Sequence, residues 1–466
     1  MPSHPPTTGH LPTGGRSLKR NIGLSGALLL TLSAITPASS VFVILPGALK
    51  LAGSGSLLSM LAAAGVGMCM AFVYAELSSA FPHTGGEYVF VAHTLGGLPG
   101  FMFLGLTVVG AVLSPAVLAL GAGQYLSVVV PSVEPMAAAI VIIIGATLLG
   151  LLNIKSNAWL TGAFLAVELA ALVVLAYLGF SHQARPIAEL LVHPVSLDDG
   201  LLHPATVSMI GVATSLAIFA YNGYGGAVYF GEEMIDAPRR VARTVLWALA
   251  LGVATQLIPV TAVLLGAPDL LTMLRSDSPF NDFIVSRGGE ALNIWVSMGV
   301  ALAMINAVIV LMLTNARLLY STGRDGAWTP RVNHALTLVH GRLKSPWVAT
   351  LVAGVVSLAP CWVDFNGLLI FTGTSLIAIY AGICVAALAG RRAGTTRHAM
   401  YRMPWFPIAP IFCLIVLCYV AYTNWIDVQF GRPSLLANVA IMGGAALYYY
   451  AVVRRRGVWV LRQPDH

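Results

Sequence analysis

Glu168 is the residue whose type and position could do the most chemistry. It lies 13 residues after Lys155 in an otherwise uncharged apolar run, which is about 20 Å along a helix that rises 1.5 Å per residue. That depth places the carboxyl well inside a hydrocarbon core of about 30 Å. An ionisable group there is costly and is by default a candidate functional group. Glu168 could bind and release a proton, contact a cationic ligand, or serve a structural role in a buried pair.

A second unusual stretch is FAYNGYGGAVYFGEE, Phe219 to Glu233. It lies in a long apolar run, yet it holds Gly223, Gly225 and Gly226 close together. Each glycine costs roughly 1 kcal/mol in a helix interior relative to alanine. The stretch therefore predicts a break within an apolar helix.

A proline predicts a matching break in SAITPASSVFV, Ser33 to Val43. Proline has no backbone N–H, so Pro37 leaves the carbonyl of Ser33 without its helical donor. Ser39 and Ser40 can supply local hydroxyl partners. Irregular backbone is tolerated deep in a bilayer only where protein or a water-filled cavity surrounds it. The two breaks predict a shared internal site, and ordinary kinks are the alternative.

Charged residues gather at the ends of the apolar runs. Glu76, Glu232 and Glu233 lie near helix ends on the side predicted to be cytoplasmic, as do Arg239 and Arg317. They could form ion pairs that break when a gate opens. The alternative is that they are solvated loop charges.

The composition shows which solvent must surround these elements. Of the 466 residues, 58% are hydrophobic and 9% are charged, whereas soluble domains carry about 25% charged residues. The runs are apolar on all sides, unlike the alternating strands of a membrane barrel. The sequence predicts an all-α integral membrane protein with twelve transmembrane helices, at roughly 22–49, 54–80, 97–128, 136–153, 157–180, 206–231, 244–266, 291–316, 346–363, 366–390, 405–426 and 433–453.

The positive charges predict the orientation of these spans. With both termini in the cytoplasm, 20 of the 25 Lys and Arg residues fall on the cytoplasmic side, as the positive-inside rule requires. The bias also accounts for the net charge of +7 without a nucleic-acid partner.

Breaks in spans one and six predict two five-span halves. An odd number of spans inserts the halves in opposite orientations, which is the plan of many secondary transporters with a midplane site. The predicted units are a disordered cytoplasmic tail (1–20), the first repeat (21–180), the second repeat (201–390), helices 11 and 12 (403–453) and a cytoplasmic tail (454–466).

Three stretches resemble one known family, the amino acid–polyamine–organocation permeases of the bacterial amino acid type. They are AELSSAFPHTGGEYVF (75–90), FAYNGYGGAVYFGEEMIDAPRRVARTV (219–245) and TNARLLYSTGRDGAWTP (314–330). The resemblance implies a five-plus-five inverted repeat with discontinuous helices 1 and 6, helices 11 and 12 outside the core, and alternating access. It places the substrate at the two breaks, with contributions from spans three, eight and ten.

The resemblance assigns opposite chemistry to the two breaks. Amides at the first would bind a substrate carboxylate, because a half-helix starts there with positive polarity. Carbonyls at the second break would receive a substrate ammonium, and Phe219 would be an aromatic gate. Tyr221 and Tyr224 would either line the cavity or serve only in packing. The implied substrate-binding residues are Thr36, Pro37, Ala38, Ser39, Ser40, Phe219, Ala220, Tyr221, Asn222, Gly223 and Tyr224.

The chain also departs from the family pattern. Ala38-Ser39-Ser40 stands where a G-x-G of small residues is usual, and Gly225 stands where some arginine and polyamine antiporters are acidic. Glu168 matches a position that is lysine in many members, so the charge is reversed. The eighth span offers Asn306 but no Ser/Thr pair, which weakens sodium coupling without excluding it.

The sequence thus predicts a secondary transporter that moves an amino acid across the plasma membrane by alternating access, with a proton as the coupling ion. The alternatives are an amine or polyamine transporter, an amino acid exchanger, and a nutrient sensor that binds without transport. No catalytic residue is predicted, because neither a nucleophile elbow nor a phosphate loop occurs. The five cysteines lack zinc-ligand spacing, and neither a metal nor a cofactor is expected.

Overall fold

Long apolar helices form most of the chain, because within a bilayer each segment must satisfy its own backbone hydrogen bonds. The computed structural model describes residues 20–130, 132–152, 154–198, 200–457, 459 and 461. Apart from Arg20, the predicted N-terminal tail lies outside the described residues. Of the predicted C-terminal tail, residues 454–457, 459 and 461 are described. Arg454–Arg456 are helical.

The helices fall into two sets. Those up to residue 192 are α1 (Leu24–Ile35), α2 (Pro37–Ser39), α3 (Leu45–Ala52), α4 (Ser56–Ala80), α5 (Glu87–Leu95), α6 (Gly97–Val129), α7 (Pro135–Gly150), α8 (Ile154–Ser181) and α9 (Ile187–Val192). Those that follow are α10 (Val207–Ala220), α11 (Ala237–Gly266), α12 (Leu270–Arg275), α13 (Pro279–Arg324), α14 (Pro330–Leu336), α15 (Trp347–Leu358), α16 (Phe365–Ala393), α17 (Ile408–Ile426), α18 (Gly431–Tyr448) and α19 (Arg454–Arg456).

Shorter helical turns connect several of these helices. A π-helical turn, Ser40–Ile44, joins α2 to α3, and another, Tyr449–Val453, joins α18 to α19. Turns of 3₁₀ helix cover Gly53–Gly55, Tyr224–Glu233 and Ala359–Trp362.

The predicted membrane architecture is confirmed in its coarse form, since the chain is mostly helical. Within the described residues, nine helical stretches are long and apolar enough to cross a membrane. Two shorter apolar stretches, Pro135–Gly150 and Trp347–Trp362, accompany them.

A β-hairpin between α9 and α10 was not predicted. Its strands, β1 (Val195–Asp198) and β2 (Leu201–Pro204), pair antiparallel. The Ser54 hydroxyl accepts the Val195 N–H at 2.9 Å, and a Cβ added at Gly53 would lie 2.1 Å from the Val195 carbonyl oxygen. The hairpin therefore sits directly on the turn between α3 and α4, and glycine at 53 makes that contact possible.

Several helix starts follow from local sequence. The Glu134 carboxylate accepts the Met136 N–H at the start of α7, and Asp364 accepts the Gly367 N–H at the start of α16. Such caps satisfy amides that lack a helical partner. In the interior, α13 packs against α6, α8 and α15, and α11 packs against α4 and α8. The first helix, α1, contacts α8, α11 and α13.

Candidate functional site

The two helix breaks contact each other directly. Thr36, at φ 43°, separates α1 from α2, while α10 ends at Ala220. The Ser40 hydroxyl donates to the Ala220 carbonyl at 2.8 Å. A direct hydrogen bond therefore links the two breaks.

Gly223 allows this close approach. Its φ of 115° lies in the left-handed region that glycine favours. A Cβ added there would lie 2.8 Å from the backbone N and Cα of Ile35. The glycine that weakens an ordinary helix is required here, because the two backbones meet.

Glu168 is fully buried behind the first break. Its Oε1 accepts the Ala38 backbone N–H at 2.8 Å and the Thr36 hydroxyl at 3.3 Å. The carboxyl thus caps the start of the half-helix, where the backbone favours an anion. Its Oε2 is buried and has no hydrogen-bond partner among the described residues. One amide predicted to meet a substrate carboxylate is already bonded to a carboxyl of the protein.

A junction of three helices lies two turns from Glu168 along α8. Ser33 on α1 and Asn306 on α13 both donate to the Thr161 carbonyl, at 3.3 and 3.2 Å. The Oδ1 atom of Asn306 is buried and has no hydrogen-bond partner in the part of the chain that the structure describes. In that part, no group of three or more His, Cys, Asp and Glu side chains is placed to hold a metal ion.

Neutral groups hold the second break. The Tyr380 hydroxyl donates to Asn222 Oδ1 at 2.8 Å. The Asn222 N–H donates to the Phe219 carbonyl at 3.0 Å, and the Gly226 N–H donates to the Gly223 carbonyl at 2.9 Å. The Phe219 carbonyl also accepts the Tyr221 N–H, whereas the Gly223 carbonyl keeps a second lone pair for a ligand.

A cavity of about 260 Å³ opens beside both breaks. It is smaller than the roughly 300–1,000 Å³ typical of sites for drug-sized ligands, so its size suits a small solute. Helices α6, α13 and α16 supply much of the remaining wall. The predicted substrate-binding residues that line it are Thr36, Ser39, Ser40, Phe219, Asn222 and Gly223.

The other predicted site residues lie outside the lining, namely Pro37, Ala38, Ala220, Tyr221, Tyr224 and Glu168. Tyr224 packs edge-on against Tyr74, with ring centroids 5.9 Å apart. Thr36 connects the residues that line the cavity with those behind them, because it lines the cavity and its hydroxyl also donates to Glu168.

Glu87 is a cavity residue that the sequence reasoning missed. It begins α5 and is the single charged residue among the described residues that line the cavity. Its carboxylate accepts the Tyr74 hydroxyl at 2.8 Å and the Tyr229 hydroxyl on its other oxygen. Both tyrosines also line the cavity.

Two opposing effects act on the Glu87 carboxyl. Burial raises its pKa, while the hydrogen bonds from Tyr229, its own backbone and Tyr74 oppose that rise.

A signal for this residue was present in the sequence, since Gly85 and Gly86 precede a carboxylate at the edge of an apolar run. Gly86 has φ 71°, and a Cβ there would lie 2.7 Å from the Tyr229 ring. The glycine therefore lets Tyr229 reach Glu87.

The predicted gate residue Glu233 forms a buried ion pair with Arg317. The Arg317 side chain donates to both carboxylate oxygens of Glu233 and, at 2.9 Å, to the Leu313 carbonyl. Both side chains are almost completely buried. The Glu233 carbonyl also accepts the Asn21 N–H at 2.8 Å, which ties the segment just before α1 to this pair.

Two further ion pairs involve partners that the sequence did not suggest. Glu232 pairs with Arg324, and Glu76 accepts two bonds of 2.6 Å from Arg391. Arg239 is exposed, and none of the ion pairs among the described residues includes it.

Comparisons with known proteins match this chain to a permease family and to transporters. The model of a family described as amino acid permease matches residues 22–447. An uncharacterised transporter of Mycobacterium tuberculosis is 29% identical over 435 residues, covering 92% of this chain and 91% of the relative.

Two human relatives carry more specific names. The large neutral amino acids transporter small subunit 2 is 26% identical, covering 74% of this chain and 64% of the relative. The cationic amino acid transporter 4 is 24% identical, covering 80% of this chain and 60% of the relative.

Proposed function

This chain belongs to the amino acid permease family, and from that membership we propose that it moves an amino acid across the plasma membrane by alternating access, coupled to a proton. It is a multi-pass membrane protein and a transporter rather than an enzyme. The observation that carries the proposal is the small cavity lined by two broken helices. Broken helices of this kind surround the substrate in many secondary transporters.

Twelve spans with both termini in the cytoplasm are the topology we propose. The stretch Leu24–Ala80 has 57 residues and would extend about 85 Å as one straight helix, far beyond a hydrocarbon core of about 30 Å. A 3₁₀ turn at Gly53–Gly55 interrupts it, which supports two passes. Ten long passes and the two shorter apolar stretches then give twelve, and the distribution of Lys and Arg supports the orientation.

The two breaks support the inverted repeat. Each lies in the first span of its proposed half, 21–180 and 201–390, and helices α17 and α18 follow outside the repeats. The breaks meet through Ser40 and Ala220, so the proposed halves touch beside the cavity that we propose as the substrate site. The buried pair of Glu233 and Arg317 would close one end of this path and separate when it opens.

The position of Thr36 supports proton coupling through Glu168. While Glu168 is ionised, the Thr36 hydroxyl donates to it. A protonated Glu168 can instead donate to the Thr36 oxygen, which frees the Thr36 hydroxyl hydrogen for a substrate carboxylate in the cavity. The Ala38 amide is also held less strongly by a neutral carboxyl, because hydrogen bonds to charged groups are the stronger ones. Proton and carboxylate would therefore bind together.

The substrate class rests on the family and on its relatives. Two of them are named for large neutral and for cationic amino acids, which supports an amino acid. An amine or polyamine is the second candidate, because the charged residue that lines the cavity, Glu87, is acidic.

Uptake of labelled amino acids into proteoliposomes tests the proposal. We expect accumulation that increases when the outside is made more acidic than the lumen, compared with vesicles lacking the protein. A second arm preloads the lumen with unlabelled amino acid, which detects exchange. Absence of uptake and of exchange for all amino acids would overturn the function, and substrate-induced thermal stabilisation without flux would indicate a sensor.

A further inference from the structure

We propose that Glu87, together with Tyr74 and Tyr229, forms a subsite in the cavity for the positively charged side-chain group of a substrate. The preferred substrates would then be amino acids with a side-chain ammonium or guanidinium. This inference rests on the proposed function, which accounts for how the rest of the substrate is bound. It adds a charged recognition element to the backbone groups of the two breaks.

The first argument is the missing counter-charge. Glu87 is 7% exposed, and none of the ion pairs among the described residues includes it. Its carboxylate accepts hydrogen bonds from two phenol hydroxyls and from its own backbone N–H, and none of these donors carries a charge at neutral pH. Buried carboxylates are normally paired, and the cavity is the direction from which a cation can reach this one.

The second argument is the construction of the subsite. Tyr74 comes from α4, Tyr229 from the 3₁₀ segment after the second break, and Glu87 from α5. A Cβ added at Gly225 would lie 2.9 Å from the Tyr74 ring, so the absence of a side chain there lets Tyr74 reach the carboxylate. Three separate elements thus hold the carboxylate at the cavity wall.

The third argument is the contrast with the remaining wall. The other lining residues are apolar or neutral polar, such as Asn222, Thr314 and Asn315. A neutral side chain would leave Glu87 uncompensated, whereas an ammonium or guanidinium would pair with it. The phenol rings of Tyr74 and Tyr229 add faces that attract cations.

A matched series of ligands tests the proposal by calorimetry on the purified full chain in detergent. Lysine is norleucine with a terminal ammonium, and 1,5-diaminopentane is lysine without its carboxylate. We expect lysine to bind at least about tenfold more tightly than norleucine, as for a buried charge pair. In Glu87→Gln this advantage should disappear, while norleucine affinity stays within about twofold. Glu290→Gln, the same change at an exposed position on α13, should behave as wild type.

The outcomes separate this inference from the proposed function. Equal affinity of wild type for lysine and norleucine, or a lysine advantage that survives in Glu87→Gln, would overturn the subsite even if amino acids are transported. Binding of 1,5-diaminopentane that requires Glu87, without binding or transport of any amino acid, would support the subsite and overturn the amino acid function. If Glu87→Gln does not fold, Glu87→Asp keeps the charge but shortens the side chain, and should bind lysine less tightly without affecting norleucine.

Discussion

Each helix break has a buried carboxyl close to it, and the two carboxyls differ in what they face. Glu168 bonds to the backbone and Thr36 at the first break and lies outside the cavity wall. Glu87 bonds to two phenols and lines the cavity, and its partner Tyr74 packs against Gly225 just after the second break. A carboxyl on the backbone can change the conformation of a half-helix, whereas a carboxyl on the cavity wall can select a ligand. On this comparison we propose coupling for Glu168 and selectivity for Glu87.

The largest loss of stability and of function is expected at Gly223, where the backbones of the two breaks meet. Gly223→Ala forces an L-residue into the left-handed region, at about 1–2 kcal/mol, and places a Cβ 2.8 Å from the Ile35 backbone, adding about 1–3 kcal/mol of overpacking. We expect a clearly lower unfolding temperature in detergent and loss of both proton-driven uptake and lysine preference.

Gly226→Ala is the matched control, because its added Cβ meets its nearest atom at 3.7 Å. It should keep a wild-type unfolding temperature. If Gly223→Ala is as stable as Gly226→Ala, the two breaks are less closely packed than described.

A smaller effect, restricted to selectivity, is expected from Tyr229→Phe. Burial raises the Glu87 pKa and the Tyr229 hydroxyl opposes that rise, so the variant should have a still higher pKa. Lysine preference requires the ionised carboxylate, which exists above that pKa and is lost as the pH falls through it. The preference should therefore disappear at a higher pH in the variant than in wild type.

The titratable groups that bond to Glu87 are Tyr74 and Tyr229, and Tyr74 is unchanged in this test. Tyr177→Phe removes an exposed phenol on α8 and should leave the pH profile of lysine affinity unaltered. An unaltered profile in Tyr229→Phe as well would remove Tyr229 from the subsite.

The smallest effect, restricted to coupling, is expected from Thr36→Val. The variant removes the hydroxyl that joins the cavity to Glu168, and one hydrogen bond contributes about 0.5–1.5 kcal/mol. The pH-driven component of uptake should fall about two- to tenfold, with lysine preference retained. Thr31→Val, whose hydroxyl bonds within α1 to the Ala27 carbonyl, should leave both properties unchanged. A drop in lysine preference in Thr36→Val would show that the two functions are not separate.

Local chemistry explains what the sequence could predict. Proline has no N–H and glycine tolerates positive φ, so the interruptions near Pro37 and Gly223 were predictable, and non-helical backbone is present at both. The apolar runs likewise predicted a mostly helical membrane protein. The hairpin was missed because its contact with Gly53 and Ser54 joins distant parts of the chain.

Long-range partners were the part that sequence could not supply. Glu168 was recognised as a buried charge, but its contact with Ala38 spans 130 positions. Arg324 pairs with Glu232 across 92 positions of the chain, and Arg391 pairs with Glu76 across 315. Glu87 was overlooked because its importance arises from Tyr229, which lies 142 positions away. The roles of these residues stay predictions until variants are measured.

The central claim is tested most directly by measuring proton movement while the Glu168→Gln variant transports its substrate. Glutamine keeps an acceptor for the Ala38 amide but cannot take up a proton. With a pH indicator in the lumen of proteoliposomes and labelled substrate outside, wild type and Glu87→Gln should acidify the lumen as substrate enters. In Glu168→Gln, substrate should still exchange across the membrane, without acidification and without stimulation by a pH gradient. Retention of the wild-type ratio of protons to substrate in Glu168→Gln would contradict the account.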